Sequence, residues 1–518
     1  MAGLSSYRGP WDRSAAAHLI YRAGFGATAG TISEMVSAGM DQCVDRLINF
    51  RKVPDHFPKP EWAKPIEGLQ DMRKNASEEE KKKFQRERRQ EGQDLKMWWI
   101  RRMVMTTRPF QEKLTLFWHG HFATSIQKVK LAYFMWLQNE TLRRNAAGNW
   151  RTMLKEISRD PAMVIWLDNA SNRANGPNEN YARELMELFT LGEGNYTEKD
   201  IKESARAFTG FSIDRNTQEF VFRKNIHDER SKHFFNRAGN FDGDDIVDII
   251  LNRPQAPRFI TKKIWEFFAC QGPSEALVDE LALILKNSNY EFLPLFKTIF
   301  TSEEFYSERS VKKQIKSPIQ WLVGSVLALE AELMPTRMIN GVMKLLGQEL
   351  FEPPNVKGWD GGAAWITTSS LLTRYNLANV MVNGVIPDEM LDAAMGRKDG
   401  GRKAAQKGKP EGGEMMAEEG PSMEQMMEEE RKQRVRSKVK EATTRQLQRL
   451  VDVKKVVDMD SVKDTRDLVG RLREVLYLDG ITDKELQSIM EYVGNDLSDT
   501  KARGAVHLLM STPHYQLC

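Results

Sequence analysis

Apolar residues recur at helical spacing along most of this sequence, and this periodicity limits the possible fold more than any other feature. Within residues 31–50, the periodic apolar positions are Ile32, Met35, Val36, Val44, Leu47 and Ile48. A spacing near 3.6 residues places one apolar face on an α-helix. Similar patterns cover 77–107, 111–119, 179–191 and 244–252, and three short ones end the chain near 464–476, 483–493 and 499–511. We therefore predict a mainly α fold, with a large irregular multi-helix domain.

One segment departs from the helical pattern. Residues 211–224 alternate apolar and polar side chains around a polar turn at 215–217. A period of two residues on both sides of a turn predicts a small β-hairpin. We expect it to be the only sheet of note.

The composition changes sharply over residues 394–440, where glycine, charged residues and methionine dominate. A segment with no aromatic residue buries too little apolar surface to offset the entropy lost on ordering. We predict a disordered low-complexity insertion there, with a helix allowed at its basic end. The predicted domains are then a main helical domain over 1–393 and C-terminal helices over 441–518 that pack on it.

Charge and cysteine content exclude several classes of protein. The net charge is +4, from 76 basic and 72 acidic residues, which are interleaved along the chain. Nucleic-acid-binding proteins usually carry a basic stripe, so we expect no nucleic-acid partner. The three cysteines, Cys43, Cys270 and Cys518, form no C-x-x-C motif. This spacing favours neither a disulfide framework nor a zinc–thiolate site.

The N-terminal residues contain no continuous apolar stretch of the kind that a secretory signal needs. No apolar run approaches the roughly 18 residues that would span a bilayer. We expect no transmembrane segment and a cytoplasmic location, although export by another route would be compatible with the same sequence.

Two histidines, His119 and His121, are the best candidates for chemistry, because neutral imidazoles often bind divalent transition metals. Residues two apart point to opposite sides of a helix but share one face of an extended segment. Both histidines can therefore bind one metal only if the helix ends near Gly120. In the alternative interpretation, one histidine caps the helix and the other packs among aromatic neighbours.

Carboxylates on a later helical pattern are candidates to complete such a metal site. Glu184 and Glu187 share one helical face with Asn180. Beside the two histidines they would form a mixed nitrogen and oxygen ligand set, although the spacing differs from that of di-iron bundles. The alternative is an ion-paired helix, in which Arg183 bonds Glu179 and Glu187 at i, i+4 spacing.

His227 and Asp228 follow the predicted hairpin and are candidate acid–base residues. Alternatively, they hold the hairpin to the domain. The nearby Asp242, Asp244 and Asp245 lack the spacing of a calcium-binding EF-hand loop. We predict that Asp244 caps the next helix.

The glycine-rich loop at 353–365 offers a ligand-binding alternative. Trp359 and Trp365 are candidates to stack on a sugar ring, and Asn355 and Lys357 are candidates to bind an anion. The competing interpretation is that the tryptophans fill a core under the loop and the polar residues end a helix. Phosphate-binding P-loops, G-x-S-x-G elbows and H-E-x-x-H zinc motifs are absent from the sequence.

Several segments carry a family resemblance. They are 22–28 (RAGFGAT), 116–124 (LFWHGHFAT), 178–192 (NENYARELMELFTLG), 227–228 (HD), 241–246 (FDGDDI), 353–359 (PPNVKGW) and 508–517 (LLMSTPHYQL). In this order they resemble the bacterial domain of unknown function 1800 family, over nearly the whole chain outside 394–440. This chain departs from the family at Gly120, where asparagine is common, and in lacking the secretion signal of many members.

The resemblance implies a protein partner from the neighbouring domain of unknown function 1501 family, and it supplies no catalytic residues. We therefore expect a non-catalytic partner or scaffold protein. The alternatives are a metal-dependent enzyme with a His/Glu site and a carbohydrate- or cell-envelope-binding protein.

Overall fold

Helices dominate the fold, which confirms the mainly α prediction. The computed structural model describes residues 4–394, 423–447, 450–477 and 479–518. Residue contacts divide the chain into two units. The first comprises Met1–Ala328, Gln348–Ile366 and Gln516–Cys518, and the second comprises Leu329–Gly347 and Thr367–Tyr515. Among the described residues, we find no helix with the length and apolar character needed to cross a membrane.

The first unit carries most of the family segments. Its α-helices are α1 (Arg13–Ala23), α2 (Ala29–Ala38), α3 (Met40–Ile48), α4 (Leu69–Lys74), α5 (Glu78–Met105), α6 (Pro109–His121), α7 (Ile126–Val129), α8 (Ala132–Arg144), α9 (Trp150–Arg159), α10 (Pro161–Trp166), α11 (Asn180–Glu184), α12 (Glu198–Ala207), α13 (Gly243–Leu251), α14 (Gln255–Phe268), α15 (Glu275–Asn287), α16 (Phe292–Phe300) and α17 (Pro318–Ala328). A π-helix over Leu185–Thr190 continues α11.

Helix α6 lies in the core of this unit and packs against α1, α5 and α8. Every one of its residues except Pro109 and Gly120 is buried, as expected for a helix that is apolar on most of its surface. Its buried charges are satisfied by partners. Glu112 accepts hydrogen bonds from Arg102 and Arg143, at 2.6 and 2.7 Å. The helix is therefore a fixed support for the residues at its C-terminal end.

The predicted hairpin is present, and a second one follows it. Strands β1 (Phe211–Ile213) and β2 (Phe220–Phe222) pair antiparallel. Strands β3 (Lys232–Phe234) and β4 (Arg237–Gly239) form another antiparallel pair, so the expectation of a single notable sheet is wrong. The sequences of this second pair, KHF and RAG, lack the alternation of apolar and polar residues that surrounds the first turn.

Capping boxes begin both α12 and α13, and the second lies two residues from the predicted cap. Thr197 and Asp200 form the capping box at the start of α12. At α13, however, the N-cap is Asp242, which pairs with Asp245 in a capping box. Asp244 lies in the first turn and forms an ion pair with Arg159 at 2.8 Å. The prediction that Asp244 is the cap is therefore wrong, because the helix begins at Gly243, two residues earlier than a cap at Asp244 requires.

The second unit is helical as well. Its α-helices are α18 (Thr336–Leu345), α19 (Thr368–Asn383), α20 (Asp388–Ala394), α21 (Met423–Leu447), α22 (Val453–Val456), α23 (Thr465–Val475), α24 (Asp483–Val493) and α25 (Asp499–Ser511). The last three match the three short helices expected at the end of the chain. Helix α19 packs against α25, and α18 packs against α20.

This division differs from the predicted domains. Helices α18 to α20 were assigned to the main domain over 1–393, but they form one unit with the C-terminal helices. Of the insertion predicted over 394–440, residues 395–422 lie outside the described residues, and residues 423–440 belong to α21. The helix that was allowed at the basic end is therefore present.

Candidate functional site

The two histidines at the end of α6 have separate environments. The helix continues through His121, so residues two apart lie on opposite sides of it. His119 is buried, and its Nε2 accepts a hydrogen bond from the Phe351 amide at 3.0 Å. The rings of Trp99 and Trp359 lie 5.0 and 5.6 Å from its ring. Burial lowers the pKa of His119 to about 3, so this neutral imidazole serves as a hydrogen-bond acceptor within the core.

His121 lies on the other side of α6 and bonds through both ring nitrogens. Its Nε2 lies 3.1 Å from the Phe189 carbonyl oxygen, which can only accept, so Nε2 carries the proton. Its Nδ1 lies 3.3 Å from Nζ of Lys263 and accepts from that amine. Burial and the neighbouring Lys263 hold the pKa of His121 well below its usual range. The ring is therefore neutral, with a fixed tautomer.

The π-helix explains why these carbonyl groups are available. Leu185–Thr190 has the wider π turn, in which backbone bonds run from residue i to residue i+5. The Phe189 carbonyl accepts from His121, and the Leu188 carbonyl accepts from Lys263 at 3.4 Å. Two side chains from α6 and α14 thus complete the end of this segment. Single π turns are frequent at functional sites.

Lys263 occupies an unusual position for a lysine. It lies on α14, and its Nζ is 4.9 Å from the centroid of the Phe259 ring. None of the described carboxylates lies close enough to form an ion pair with it, and its polar contacts are His121 and the Leu188 carbonyl. Burial lowers the pKa of Lys263 to about 8, although Glu266 acts in the opposite direction. The uncharged fraction of this amine near neutral pH is therefore larger than that of an ordinary lysine.

His121 and Lys263 line a cavity of about 340 Å³. Its polar lining residues are His121, Lys263, Glu266, Gln271, Lys313, Gln314, Ser317, Gln320, Gln348, Lys357 and Asp360. Its aromatic lining residues are Phe117, Phe267, Trp359 and Trp365. The volume is at the lower end of the range for small-molecule sites, about 300–1,000 Å³. A small metabolite would fit in this volume, whereas a segment of a polymer would extend out of it.

Two buried glutamines in the cavity have a defined orientation. Gln320 Oε1 accepts from the Ser317 amide at 2.8 Å, and Gln348 Oε1 accepts from the Ile319 amide at 2.9 Å. These backbone groups can only donate, so the amide oxygens face the start of α17. Within the described part of the chain, neither side-chain nitrogen has a bonding partner, and each residue is only 6% exposed. Both glutamines therefore present N–H donors without using them.

A close approach of two glycines places the 353–362 loop at this cavity. Gly358 has φ +85°, and a Cβ on it would lie 2.3 Å from the Gly120 carbonyl oxygen. Only glycine fits such a contact and such a backbone angle without strain. The contact brings Lys357, Trp359 and Asp360 to the wall of the cavity beside the end of α6. Segments far apart in sequence therefore form a single site.

The cavity is thus lined by residues of two of the sequence motifs, 116–124 and 353–359. A family model described as "Protein of unknown function (DUF1800)" matches residues 18–517. The chain belongs to the DUF1800 family. Comparison with curated proteins gives no match, and comparison with solved structures gives none.

In this DUF1800 chain, the four predicted metal ligands do not come together. Glu187 accepts from the Tyr196 hydroxyl at 2.8 Å. Burial and Glu187 raise the pKa of Glu184, while Arg183 and Lys357 oppose this shift. In the described residues, no three or more His, Cys, Asp or Glu side chains are grouped to hold a metal ion. Helix α6 ends at His121, next to Gly120, and the two histidines have separate partners, the Phe351 amide and the Phe189 carbonyl.

The candidate acid–base residues of this DUF1800 chain are engaged in structural contacts. Asp228 accepts from Arg206 at 2.8 Å and from Arg230 at 2.6 Å. These hydrogen bonds hold the pKa of Asp228 far below its usual range. His227 Nδ1 donates to the Thr209 carbonyl at 2.7 Å. Neither His227 nor Asp228 lines the cavity, and both tie the hairpin region to α12.

The predicted ligand-binding loop, residues 353–365, supplies part of the cavity lining. Lys357 and Trp359 line the cavity, and Lys357 is exposed. Trp365 also lines it but is only 8% exposed, so the loop does not present two open indole faces. Asn355 Oδ1 accepts from the Lys357 amide at 2.8 Å and stabilises the turn.

Sequence reasoning missed Lys263, Gln320 and Gln348. Each is a common residue on or beside a helix in this DUF1800 chain and belongs to none of the recognised motifs. The only local signal at Lys263 is its place in the aromatic stretch of α14, between Phe259 and Trp265. That signal does not distinguish it from the exposed Lys262 beside it.

Proposed function

We propose that this DUF1800 protein binds a small organic anion, bearing a carboxylate or phosphate group, in the cavity beside Lys263. The observation that carries the proposal is the convergence of donors. Lys313, Lys357 and the unused amides of Gln320 and Gln348 line the same cavity as Lys263. Charge-assisted hydrogen bonds from such donors recognise oxyanions, and they are stronger than bonds between neutral groups.

The two acidic residues of the lining refine this proposal. Glu266 and Asp360 provide acceptors beside the three lysines, so the cavity lining is not uniformly cationic. A ligand with a hydroxyl or amino group as well as an acidic group would satisfy both kinds of residue. The volume and the aromatic lining favour a metabolite over a bare inorganic ion.

A partner role with a domain of unknown function 1501 protein stays a prediction, and ligand binding is compatible with it. A metal-dependent activity at the His/Glu set and a cytoplasmic location also stay predictions.

Thermal unfolding in the presence of different anions tests the proposal. The probes are malonate, pyruvate, lactate and inorganic phosphate, each compared with sodium chloride at matched ionic strength. We expect at least one of the organic anions to raise Tm above the chloride control. A ligand at about 100 times its Kd stabilises the folded state by about 2.7 kcal/mol. Equal Tm values with all four probes and with chloride would overturn the proposal.

A matched pair of variants shows where the anion binds. Gln348→Glu keeps an oxygen that accepts from the Ile319 amide but replaces the donor with a negative oxygen. We expect this variant to fold and to lose the anion-dependent rise in Tm. Gln42→Glu makes the same charge change at an exposed position on α3, outside the cavity lining. It should respond to anions as the parent does.

A further inference from the structure

We infer that Nζ of Lys263 is a nucleophile that forms an imine with the carbonyl carbon of a small carbonyl acid bound in this cavity. The inference rests on the proposed function and deepens it, because it names a reactive group in the ligand. The ligand class is a 2-oxo acid or a similar compound that carries a carbonyl beside an acidic group.

The hydrogen bonds of Lys263 match those of an uncharged amine. A neutral primary amine has two N–H bonds and one lone pair, whereas an ammonium group has three N–H bonds and none. The amine has two acceptors, His121 Nδ1 at 3.3 Å and the Leu188 carbonyl at 3.4 Å. Both N–H bonds of the neutral amine are then satisfied, and the lone pair remains available to a ligand in the cavity.

His121 cannot supply a proton to this amine through Nδ1. Its Nε2 carries the proton of the neutral ring and donates to the Phe189 carbonyl. Nδ1 is therefore an acceptor, and it fixes the direction of one N–H bond of Lys263. In this arrangement His121 is a positioning residue, which holds the nucleophile at the cavity wall.

The surroundings also favour the free amine. The described residues supply no ion-pairing carboxylate, although the Phe259 ring, 4.9 Å from Nζ, acts in the opposite direction by attracting the ammonium form. Desolvation by burial activates lysine nucleophiles. The lowered pKa of Lys263, about 8, agrees with this geometry.

The reaction balances without an oxidant or a reductant. The amine nitrogen bonds to the carbonyl carbon, and the amine protons pass to the carbonyl oxygen. That oxygen leaves as one water molecule, and a C=N bond remains. The donors on Gln320, Gln348 and Lys357 are suited to hold the acidic group of the ligand while the amine attacks.

Reductive trapping in the full chain tests the inference. The protein is incubated with pyruvate and treated with borohydride, which reduces an imine to a stable secondary amine. Peptide mass spectrometry then compares the adduct at Lys263 with the adduct at Lys262, the exposed residue beside it. A lysine of pKa about 8 has on the order of a hundredfold more free amine at pH 7 than a lysine of pKa about 10.4. We expect the Lys263 adduct to exceed the Lys262 adduct at least tenfold.

Two controls make the result specific. Lys263→Arg keeps a cation but cannot form an imine, so the selective adduct should disappear, whereas Lys262→Arg should leave it unchanged. Excess lactate, which has no carbonyl group, should reduce labelling at Lys263 by occupying the cavity.

Failure of this inference is distinguishable from failure of anion binding. If lactate and malonate raise Tm but pyruvate labels Lys263 no more than Lys262, the imine is excluded and the binding site stands. If none of the anions changes Tm and Lys263 is not selectively labelled, both proposals are wrong.

Discussion

Nζ of Lys263 lies 3.3 Å from Nδ1 of His121, and this contact links α14 to the C-terminal end of α6. It also fixes the orientation of both side chains, because His121 donates through its other nitrogen to the π-helix. The buried imidazole and the lysine with lowered pKa thus line the cavity together, and the widened helical turn supplies their carbonyl acceptors.

Removing the cation at the rim of the cavity should weaken ligand binding without changing stability. Lys357 is exposed and lines the cavity. Lys357→Met should raise the Kd for a bound anion about tenfold, as expected for the loss of about 1.5 kcal/mol from a charged hydrogen bond. Titration calorimetry measures the effect. Lys262→Met, which removes an exposed lysine outside the cavity, should leave the Kd unchanged, and an equal effect in both variants would contradict the assignment.

Alanine should have opposite effects at the two glycines that meet in this site. Gly358→Ala places a Cβ against the Gly120 carbonyl at a positive φ, so the free energy of unfolding should fall by about 3 kcal/mol. In Gly120→Ala the new Cβ lies in open space on a helix. This variant should raise the free energy of unfolding by no more than about 1 kcal/mol. Urea unfolding compares the two. Similar losses in both variants would show that the close approach does not exist.

The buried ionic cluster of α6 should make stability depend on pH. Burial raises the pKa of Glu112, but Arg143 and Arg102 more than offset this, so its pKa lies below the usual value. The ionised form therefore stabilises the fold above pH 4.5, the ordinary value, and this stabilisation is lost as pH falls through the lowered pKa.

Glu112→Gln tests that dependence. The variant should lose about 3 kcal/mol of unfolding free energy at neutral pH, because it removes the buried carboxylate that Arg102 and Arg143 share and leaves them only the less buried Asp55 and Glu140. The difference between parent and variant should shrink as pH falls below 4.5. Glu87→Gln, at an exposed position on α5, should cause no comparable loss. If the difference in unfolding free energy between parent and variant stays constant with pH, the stabilising role of the Glu112 ion pairs is contradicted.

Asp228 should contribute to stability and not to ligand binding. It is buried between Arg206 and Arg230, and its pKa is far below the usual range, so its contribution is present above the ordinary pKa. Asp228→Asn should lower the unfolding free energy by about 2 kcal/mol. Asp228 lies outside the cavity lining, so the Kd for malonate should change less than about twofold. A twofold change corresponds to roughly 0.4 kcal/mol, the size expected for independent sites. Abolished binding in a folded Asp228→Asn variant would instead support the acid–base role that the sequence suggested.

Local patterns in the sequence predicted much of the fold. The pattern over 77–107 corresponds to α5, which Ser77 caps, because spacing and capping act within a few residues. The β1–β2 hairpin was recognisable because its alternation surrounds a polar turn. The second hairpin was missed because its three-residue strands, Lys232–Phe234 and Arg237–Gly239, depend on contacts with the rest of the unit, including α12.

The site itself was predictable only in part. The sequence pointed to His121, Lys357 and Trp359, because they stand in distinctive motifs, and all three line the cavity. It did not indicate Lys263 or Gln348, because the role of these residues depends on contacts with groups distant in the chain. The π turn at Leu185–Thr190 was also hidden, because its apolar spacing differs little from that of an α-helix. The metal interpretation required both histidines to face one point, whereas in the structure each has its own partner, the Phe351 amide and the Phe189 carbonyl.

The central claim is that the cavity beside Lys263 binds an organic anion, and titration calorimetry with malonate tests it most directly. The comparison uses the parent, Gly120→Ala and Gly120→Leu. Gly120 lines the cavity, and a side chain there meets open space, so leucine fills the cavity without removing a donor. We predict saturable binding at one site in the parent and in Gly120→Ala, and its loss in folded Gly120→Leu. Equal binding in all three proteins, or no binding to the parent, would contradict the account.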